Sequence, residues 1–394
     1  MHLPVICIVV GTRSEAIRVG PLVGSMRRDG RFDVVLIVGD QQSAPVLHAL
    51  STFDLTPDIT LFTLTGPSGD SSARLMSTLQ TTFADLNPAA CVVQGDSMTA
   101  ATAALSAFWK NIPVVHLEAG VRSGHLLHTT LEDGNRKIID HISRLHLATS
   151  AGSAMNLVRE GLTSETIVVT GNTVVDAIQN IASRDLPYTD SCLTEVEESG
   201  RRIVLLAVHR EETQGKPLLR ILQAMRRLIA TEPTVHLVVP LNAHLRRGLK
   251  TGLSGIERVT LCEPLEQSDR TRLLANASLV LTDSTGIQED APSFDVPVLV
   301  LRDVTERPES VASGVALLVG SDAELIYREA VDVLAGEANW NTTGYVTNPF
   351  GDGRASQRTV EAIGWMLGMN ERPEAFQPET ADAVLRRPLL FRVA

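Results

Sequence analysis

Runs of cationic residues are missing from this chain. Its 394 residues carry 35 Lys and Arg against 46 Asp and Glu, a formal net charge of −11. No stretch is basic enough to follow a phosphate backbone, so nucleic acid is excluded as a partner. No segment is long and apolar enough to span a bilayer, which excludes a membrane-embedded role. The apolar run at 3–10 lacks the basic lead of a signal peptide and stops at Gly11-Thr12-Arg13. It is expected to be a strand, and the protein cytoplasmic. Cysteine is scarce: Cys7, Cys91, Cys192 and Cys262 form no C-x-x-C pair and no cluster with His. A disulfide scaffold and a zinc ribbon are thereby excluded, leaving buried free thiols in a reducing compartment.

Several signatures of chemistry are absent too. Without G-x-G-x-x-G there is no fingerprint for a nicotinamide or flavin, and no G-x-x-x-x-G-K-[ST] loop is present to cradle a nucleoside triphosphate. A G-x-S-x-G elbow and an H-E-x-x-H helix are missing as well, and no His/Asp/Glu spacing invites a metal. Neither cofactor nor metal is expected.

What is present is a rhythm. Short β-branched runs at 5–10, 34–38, 91–93, 114–117, 145–148 and 166–169 alternate with helix-period segments at 14–28, 71–86, 132–143 and from 150 onward. Residues 60–62 read as a short edge piece. That alternation is the signature of a parallel sheet covered by helices. The rhythm breaks at 184–201, around Pro187 and a cluster of acids, and then restarts with strands at 203–207, 235–239, 259–262, 279–282 and 298–301. A chain of this length exceeds one ordinary core. The expected architecture is α/β, with two Rossmann-like domains, 1–184 and 185–354, whose parallel sheets face each other across a cleft, a site favoured by ligands. A last helix over 356–367 ends at Gly368, and 371–394 reads as a tail or an arm on a neighbouring subunit.

Acids gather at the ends of these elements. Gln94-Gly95-Asp96 closes one strand, Glu118-Ala119-Gly120 closes the next, and Glu132-Asp133-Gly134-Asn135-Arg136 opens a helix. In an open parallel sheet such positions share one edge, where carboxylates can move protons. Gly11-Thr12-Arg13-Ser14-Glu15 ends the first strand. It offers either a phosphate contact by Arg13 at a helix N-terminus or a plain turn capped by Ser14. His209-Arg210-Glu211-Glu212 holds the equivalent place in the second half, where His and Arg can neutralise a diphosphate. Thr282-Asp283-Ser284-Thr285-Gly286 supplies hydroxyls and backbone N–H groups ahead of a helix, with Asp290 one turn in as an acceptor for ribose hydroxyls; an ordinary cap by Asp283 or Ser284 is compatible with that role.

Taken in order, the motifs resemble one family. G-T-R-x-E-A-I at 11–17, G-D at 95–96, H-x-E-A-G-x-R-x-G at 116–124 and E-D-x-N-R at 132–136 are followed by T-G-N-T-V-x-D at 170–176 and H-R at 209–210. D-S-x-G-I-Q-E at 283–289, R-D-x-T-E-R-P-E at 302–309 and N-P-F-G-D-G-x-A at 348–355 complete the series. Together they resemble the bacterial UDP-N-acetylglucosamine 2-epimerases, over essentially residues 4–370. The resemblance implies the glycosyltransferase-B type of fold, with the segment 355–370 packing back on the first domain, and a homodimer built through first-domain helices. It implies UDP-GlcNAc as substrate. Anti elimination of UDP would give 2-acetamidoglucal, and re-addition after protonation of C2 from the opposite face would give UDP-ManNAc, with no cofactor. Asp96, Glu118 and Glu132 match the family's carboxylates, and which of them serves which face of C2 is left open. His209 matches the group that meets the departing diphosphate, with Arg13 beside it. Ser284, Thr285, Gly286, Asp290 and Arg307 match positions that hold the UDP phosphates and ribose, and Arg18, Arg136 and Arg210 complete the expected substrate-binding set.

The chain departs from the family pattern at Ser14, Arg18, Leu131, Gly134, Thr285 and Asp290. The stretches Val38-Gly39-Asp40-Gln41-Gln42 and Pro240-Leu241-Asn242 replace two motifs that help bind a second UDP-GlcNAc as activator, so no pre-bound activator is expected to be needed. The rivals are a hydrolysing epimerase releasing ManNAc and UDP, a glycosyltransferase on the same fold, and a catalytically silent nucleotide-sugar sensor.

Overall fold

The computed structural model describes residues 2–39, 43–61, 68–122, 131–336 and 348–378. In chain order the elements are β1 (Val5–Val10), α1 (Arg13–Asp29), β2 (Asp33–Gly39), α2 (Ser43–Ser51), β3 (Ile59–Leu61), α3 (Ser68–Leu86), β4 (Ala90–Gln94), α4 (Met98–Trp109) and β5 (Val114–Ala119). Next come α5 (Leu131–Ile142), β6 (Leu145–Ala148), α6 (Ala151–Arg159), β7 (Ile167–Val169), α7 (Thr173–Ala182), α8 (Ser191–Glu198), β8 (Arg202–Ala207), α9 (Lys216–Thr231) and β9 (Val235–Pro240). The remainder is α10 (Arg246–Leu253), β10 (Val259–Cys262), α11 (Gln267–Ala275), β11 (Ala277–Thr282), α12 (Thr285–Asp290), β12 (Val298–Val300), α13 (Pro308–Ala312), β13 (Ala316–Leu318), α14 (Ala323–Ala335) and α15 (Ala355–Met366).

These elements form two compact units, one from Met1–Asn180 with Phe350–Gln377 and one from Ile181–Pro349. Each holds one parallel sheet, the component from which glycosyltransferase-B folds are built. The first sheet has seven strands in the order β3-β2-β1-β4-β5-β6-β7, the second six in the order β10-β9-β8-β11-β12-β13. Both are covered on two faces, which explains why strands such as Val5–Val10 and Ala90–Gln94 are continuous apolar runs with almost no exposure. In each sheet the chain winds outward in both directions from a central pair, β1/β4 and β8/β11. The carboxyl ends of those pairs are the switch points where such sheets bind ligands.

Some expectations shift. The stretch 184–201, which shows no clear period, contains α8, capped by the Asp190 carboxylate accepting from the Cys192 N–H at 3.0 Å. Thr189 anchors the approach to α8 by donating its amide and hydroxyl to Asp269, at 3.0 and 2.5 Å. Helices α2, α10, α13 and α14 and strand β13 also escape the pattern reading. The edge piece at 60–62 is β3, with Phe62 outside the described residues. All four cysteines are free, and burial pushes the Cys7 thiol up to about 12.

Two of the motifs turn out to be joints within the first unit. Asp176 on α7 accepts the amides of Ser356 at 2.7 Å and Ala355 at 3.2 Å, which caps α15 and fixes it to the sheet's helical layer. Beside it Arg358 pairs with Asp352 at 2.6 Å, and the Asn172 amide donates to the Phe350 carbonyl at 2.7 Å. Beyond α15, Phe376 is buried and its amide donates to the Val169 carbonyl at 2.7 Å. The rest of the expected tail, 379–394, lies outside the described residues.

Candidate active site

In the first unit the acids meet at the carboxyl ends of β1, β4 and β5. Gly11 ends β1 where a Cβ would lie 2.2 Å from the Thr99 hydroxyl oxygen, so only glycine permits this approach of β1 to α4. Thr12 caps α1 and Glu15 answers it: the Glu15 amide donates to the Thr12 hydroxyl, and the Glu15 carboxylate accepts from the Gly11 amide at 2.6 Å and the Thr12 amide at 3.2 Å. The cap is therefore Thr12 and not Ser14, which is exposed and accepts from the Arg18 guanidinium. Arg13 is half-buried at the first position of the same helix.

Asp96 follows β4 after Gly95, whose φ is +73°. The Arg136 guanidinium donates to its carboxylate, and Asn135 Nδ2 donates to its backbone carbonyl at 2.9 Å. Burial raises the Asp96 carboxyl above its usual range; Arg136 and Arg18 oppose the rise, and the charges of Glu118 and Glu132 add to it. A carboxyl so placed is suited to take up and return a proton.

Glu118 sits where the β5–β6 ladder slips between Leu117 and Ala119, and its φ is +66°. A side chain in that region costs on the order of 1 kcal/mol, which the surrounding packing must offset. The bulge brings its carboxylate to Gln94, whose side-chain amide donates to it, and to within 3.6 Å of Arg18 Nε. Glu132 lies exposed in the first turn of α5, the helix that also supplies Asn135 and Arg136. The structure thus brings Asp96, Glu118, Glu132, Arg18 and Arg136 into one electrostatic group. Part of the Val38–Gln42 stretch, namely Asp40-Gln41-Gln42, lies outside the described residues, as does Gly124.

In the second unit, Asp283 at the end of β11 organises the segment after β8. Its carboxylate accepts the His209 amide at 3.0 Å, the Arg210 amide at 3.1 Å and the Thr213 hydroxyl at 2.7 Å. Burial raises this carboxyl, but His209, Thr213 and Arg210 more than offset it and hold it below its usual range. His209 Nδ1 stands 3.2 Å from Asp283, while the side chain is 46% exposed. With Nδ1 engaged, proton exchange with a ligand falls to Nε2. Arg210 donates to the Asp283 carbonyl at 3.1 Å and to Glu306 at 3.2 Å.

Ser284, Thr285 and Gly286 are half-buried at the start of α12, and the Ser284 side chain makes no cap bond. Asp283 caps the 209–213 segment instead of its own helix. Arg307 donates to Glu289 at 2.5 Å, and Arg302 and Arg210 both meet Glu306, so the loop after β12 is an ion-paired wall rather than a solvated run. Asp290 is buried, and Arg270 on α11 donates to its Oδ2 at 2.8 Å. A cavity of about 150 Å³ opens beside His209, floored by Ala207, Val208 and Ile287 and walled by Asn242, Leu265 and Arg270.

Four participants escape the pattern reading. Glu15 is legible in hindsight from the capping-box spacing Thr12-x-x-Glu15. Asp283 is visible only as a candidate cap, whereas its acceptor role spans two strands. Arg270 and Gln94 give no local signal, because their partners lie 20 and 24 positions away.

The family profile described as UDP-N-acetylglucosamine 2-epimerase matches residues 24–364. A UDP-N-acetylglucosamine 2-epimerase of Bacillus subtilis is 36% identical over 373 residues, covering 93% of this chain and 97% of that protein. A structure described as the S. aureus MnaA–UDP co-structure aligns with TM-score 0.83 at 33% identity, over 95% of this chain and 100% of that one. The UDP-GlcNAc 2-epimerase of Neisseria meningitidis, solved bound to UDP-GlcNAc, aligns with TM-score 0.79 at 30% identity, over 91% of this chain and 99% of that one. This chain belongs to the UDP-N-acetylglucosamine 2-epimerase family.

Proposed function

We propose that the protein interconverts UDP-GlcNAc and UDP-ManNAc by elimination and re-addition of UDP. The observation that carries the proposal is the group of carboxylates at the first sheet's switch point, Asp96 and Glu118 with Glu132 nearby, in which Asp96 is raised by burial and by its acidic neighbours. The C2 proton of the sugar is weakly acidic, so cleavage of C1–O must run ahead of proton removal and build positive charge at C1 that carboxylates stabilise. A base takes the C2 proton, the C2–H electrons form the C1=C2 bond, and the C1–O electrons leave with UDP. A second acid then returns a proton to the other face of C2 while the diphosphate oxygen closes on C1.

In the same reading, His209 and Arg210 meet the diphosphate, with Arg13 and Arg18 adding positive charge on the sugar side and Arg136 setting the Asp96 carboxylate. Ser284, Thr285 and Gly286 offer donors to the phosphates. Asp290 takes the ribose hydroxyls, and Arg307 completes the phosphate grip. The relatives solved with UDP and with UDP-GlcNAc support a nucleotide-sugar ligand of this kind.

Proton NMR of purified protein incubated with UDP-GlcNAc tests the reading. A mixture of UDP-GlcNAc and UDP-ManNAc is expected. Free ManNAc with UDP would replace it by the hydrolysing reading, and unchanged UDP-GlcNAc would contradict both. Among the described residues no helix is long and apolar enough to cross a membrane; a cytoplasmic setting is proposed. A homodimer through the first unit is also proposed. It is supported by the exposed apolar side chains of Phe108 and Trp109 at the end of α4 and Leu131 and Ile138 on α5. Light scattering that returns the mass of one chain would refute it.

A further inference from the structure

One carboxylate reaches, directly or through one side chain, each segment that carries a candidate acid. Asp140 lies on α5, the helix that opens with Glu132, and is wholly buried. Its Oδ1 is 2.6 Å from His116 Nδ1 on β5, and the other ring nitrogen of His116 is 2.8 Å from the Gly95 carbonyl, directly before Asp96. Its Oδ2 accepts the Gly120 amide at 3.3 Å, two residues beyond the bulged Glu118, and the Arg122 guanidinium at 2.8 Å. Arg122 is held in turn by Glu160, which caps the end of α6, and Asn156 of α6 donates to the Gly120 carbonyl at 3.0 Å. His146 on β6 donates to the Asp140 backbone carbonyl at 2.7 Å.

We infer that Asp140 is a positioning residue for the reaction. Through His116, the Gly120 amide and its own helix it holds the loop of Asp96, the bulge of Glu118 and the start of α5 in one fixed arrangement. This rests on the epimerase reading above. The physical case is one of competing costs. The Glu118 backbone is held in a left-handed conformation and the ladder is broken beside it, so nothing in the strand itself fixes where that carboxylate lies. A buried charged acceptor with several strong donors is a rigid node, because losing any partner leaves a desolvated charge. Burial alone would raise the Asp140 carboxyl, but His116 and Arg122 bring it down to about 2, so it is ionised throughout the working range. Acid–base catalysis loses orders of magnitude when the groups move by about 1 Å.

The test compares wild type with Asp140→Asn and Glu160→Gln in steady-state epimerisation, with folding checked by circular dichroism. Asp140→Asn is expected to lower kcat by about 10- to 100-fold, to leave KM for UDP-GlcNAc and the affinity for UDP within about twofold, and to move the pH profile of kcat as Asp96 and Glu118 lose their arrangement. Glu160→Gln, which only loosens Arg122, is expected to give a several-fold fall in kcat with the same unchanged KM. A folded Asp140→Asn enzyme with wild-type kcat and pH profile overturns the inference. If Asp140→Asn does not fold, Glu160→Gln decides alone, and an unchanged kcat there overturns it. Wild type without any turnover would instead remove the epimerase reading itself.

Discussion

Arg136 donates to the carboxylate of Asp96 while its neighbour Asn135 holds the Asp96 backbone, so one turn of α5 grips both the side chain and the main chain of Asp96. The pairing is not a simple salt bridge in effect. Burial and the nearby acids keep the Asp96 carboxyl raised despite the guanidinium, which suits it to the proposed role of proton carrier. Asp96→Asn preserves size and most contacts but removes the titratable group. Turnover is expected to fall by on the order of 10²–10⁴. Calorimetry should still detect UDP binding, because the proposed diphosphate grip belongs to the second unit, and unchanged turnover would remove Asp96 from the mechanism.

Glu15 predicts a pH dependence of stability. Burial, its largest influence, raises the carboxyl from 4.5 to about 7, while the hydrogen bonds from Ser97, Gly11 and Thr12 oppose the rise. Between those values the folded protein keeps a proton that the unfolded chain has lost, so stability falls as pH rises through that window. The loss is on the order of 1–3 kcal/mol. Glu15→Gln keeps an acceptor for the helix start and is expected to flatten the slope. Urea unfolding at about pH 5 and about pH 8 measures it; equal slopes in the two proteins would contradict the assignment.

The grouping of two of the candidate acids is legible in the sequence. Asp96 and Glu118 stand beside glycines at the ends of apolar runs, and a parallel sheet must bring such ends to one edge. The cap at Thr12 was legible in principle but was masked by Ser14, which offers the same chemistry two residues later. The pairing of Asp140 with His116 is not legible in the sequence. They are 24 positions apart and meet only because α5 packs against the strand that carries His116. Arg270 was hidden for a similar reason: α11 has a weak apolar stripe, and nothing near it in sequence points to Asp290. The helix α10 is hard to read because it is short and its few apolar positions are separated by charged residues.

Arg270 and Asp290 form the other pair that sequence reading could not join. Asp290 is 1% exposed and Arg270 32%, so removal of the cation leaves a nearly buried charge in a partly solvated pair. Arg270→Met is expected to destabilise the protein by about 1–3 kcal/mol, discounted for the solvent that reaches Arg270. Adding Asp290→Asn should recover part of that loss. A double-mutant cycle in urea measures the coupling, and simple additivity would show that the two do not act as a pair.

The most direct test of the central claim, that the first unit's carboxylates exchange the proton at C2 of the sugar, is incubation with UDP-GlcNAc in D₂O followed by proton NMR. Solvent deuterium is expected at C2 of UDP-ManNAc and, with time, of recovered UDP-GlcNAc, with exchange abolished or greatly slowed in Asp96→Asn. Epimerised product that keeps its original hydrogen at C2 would contradict the account.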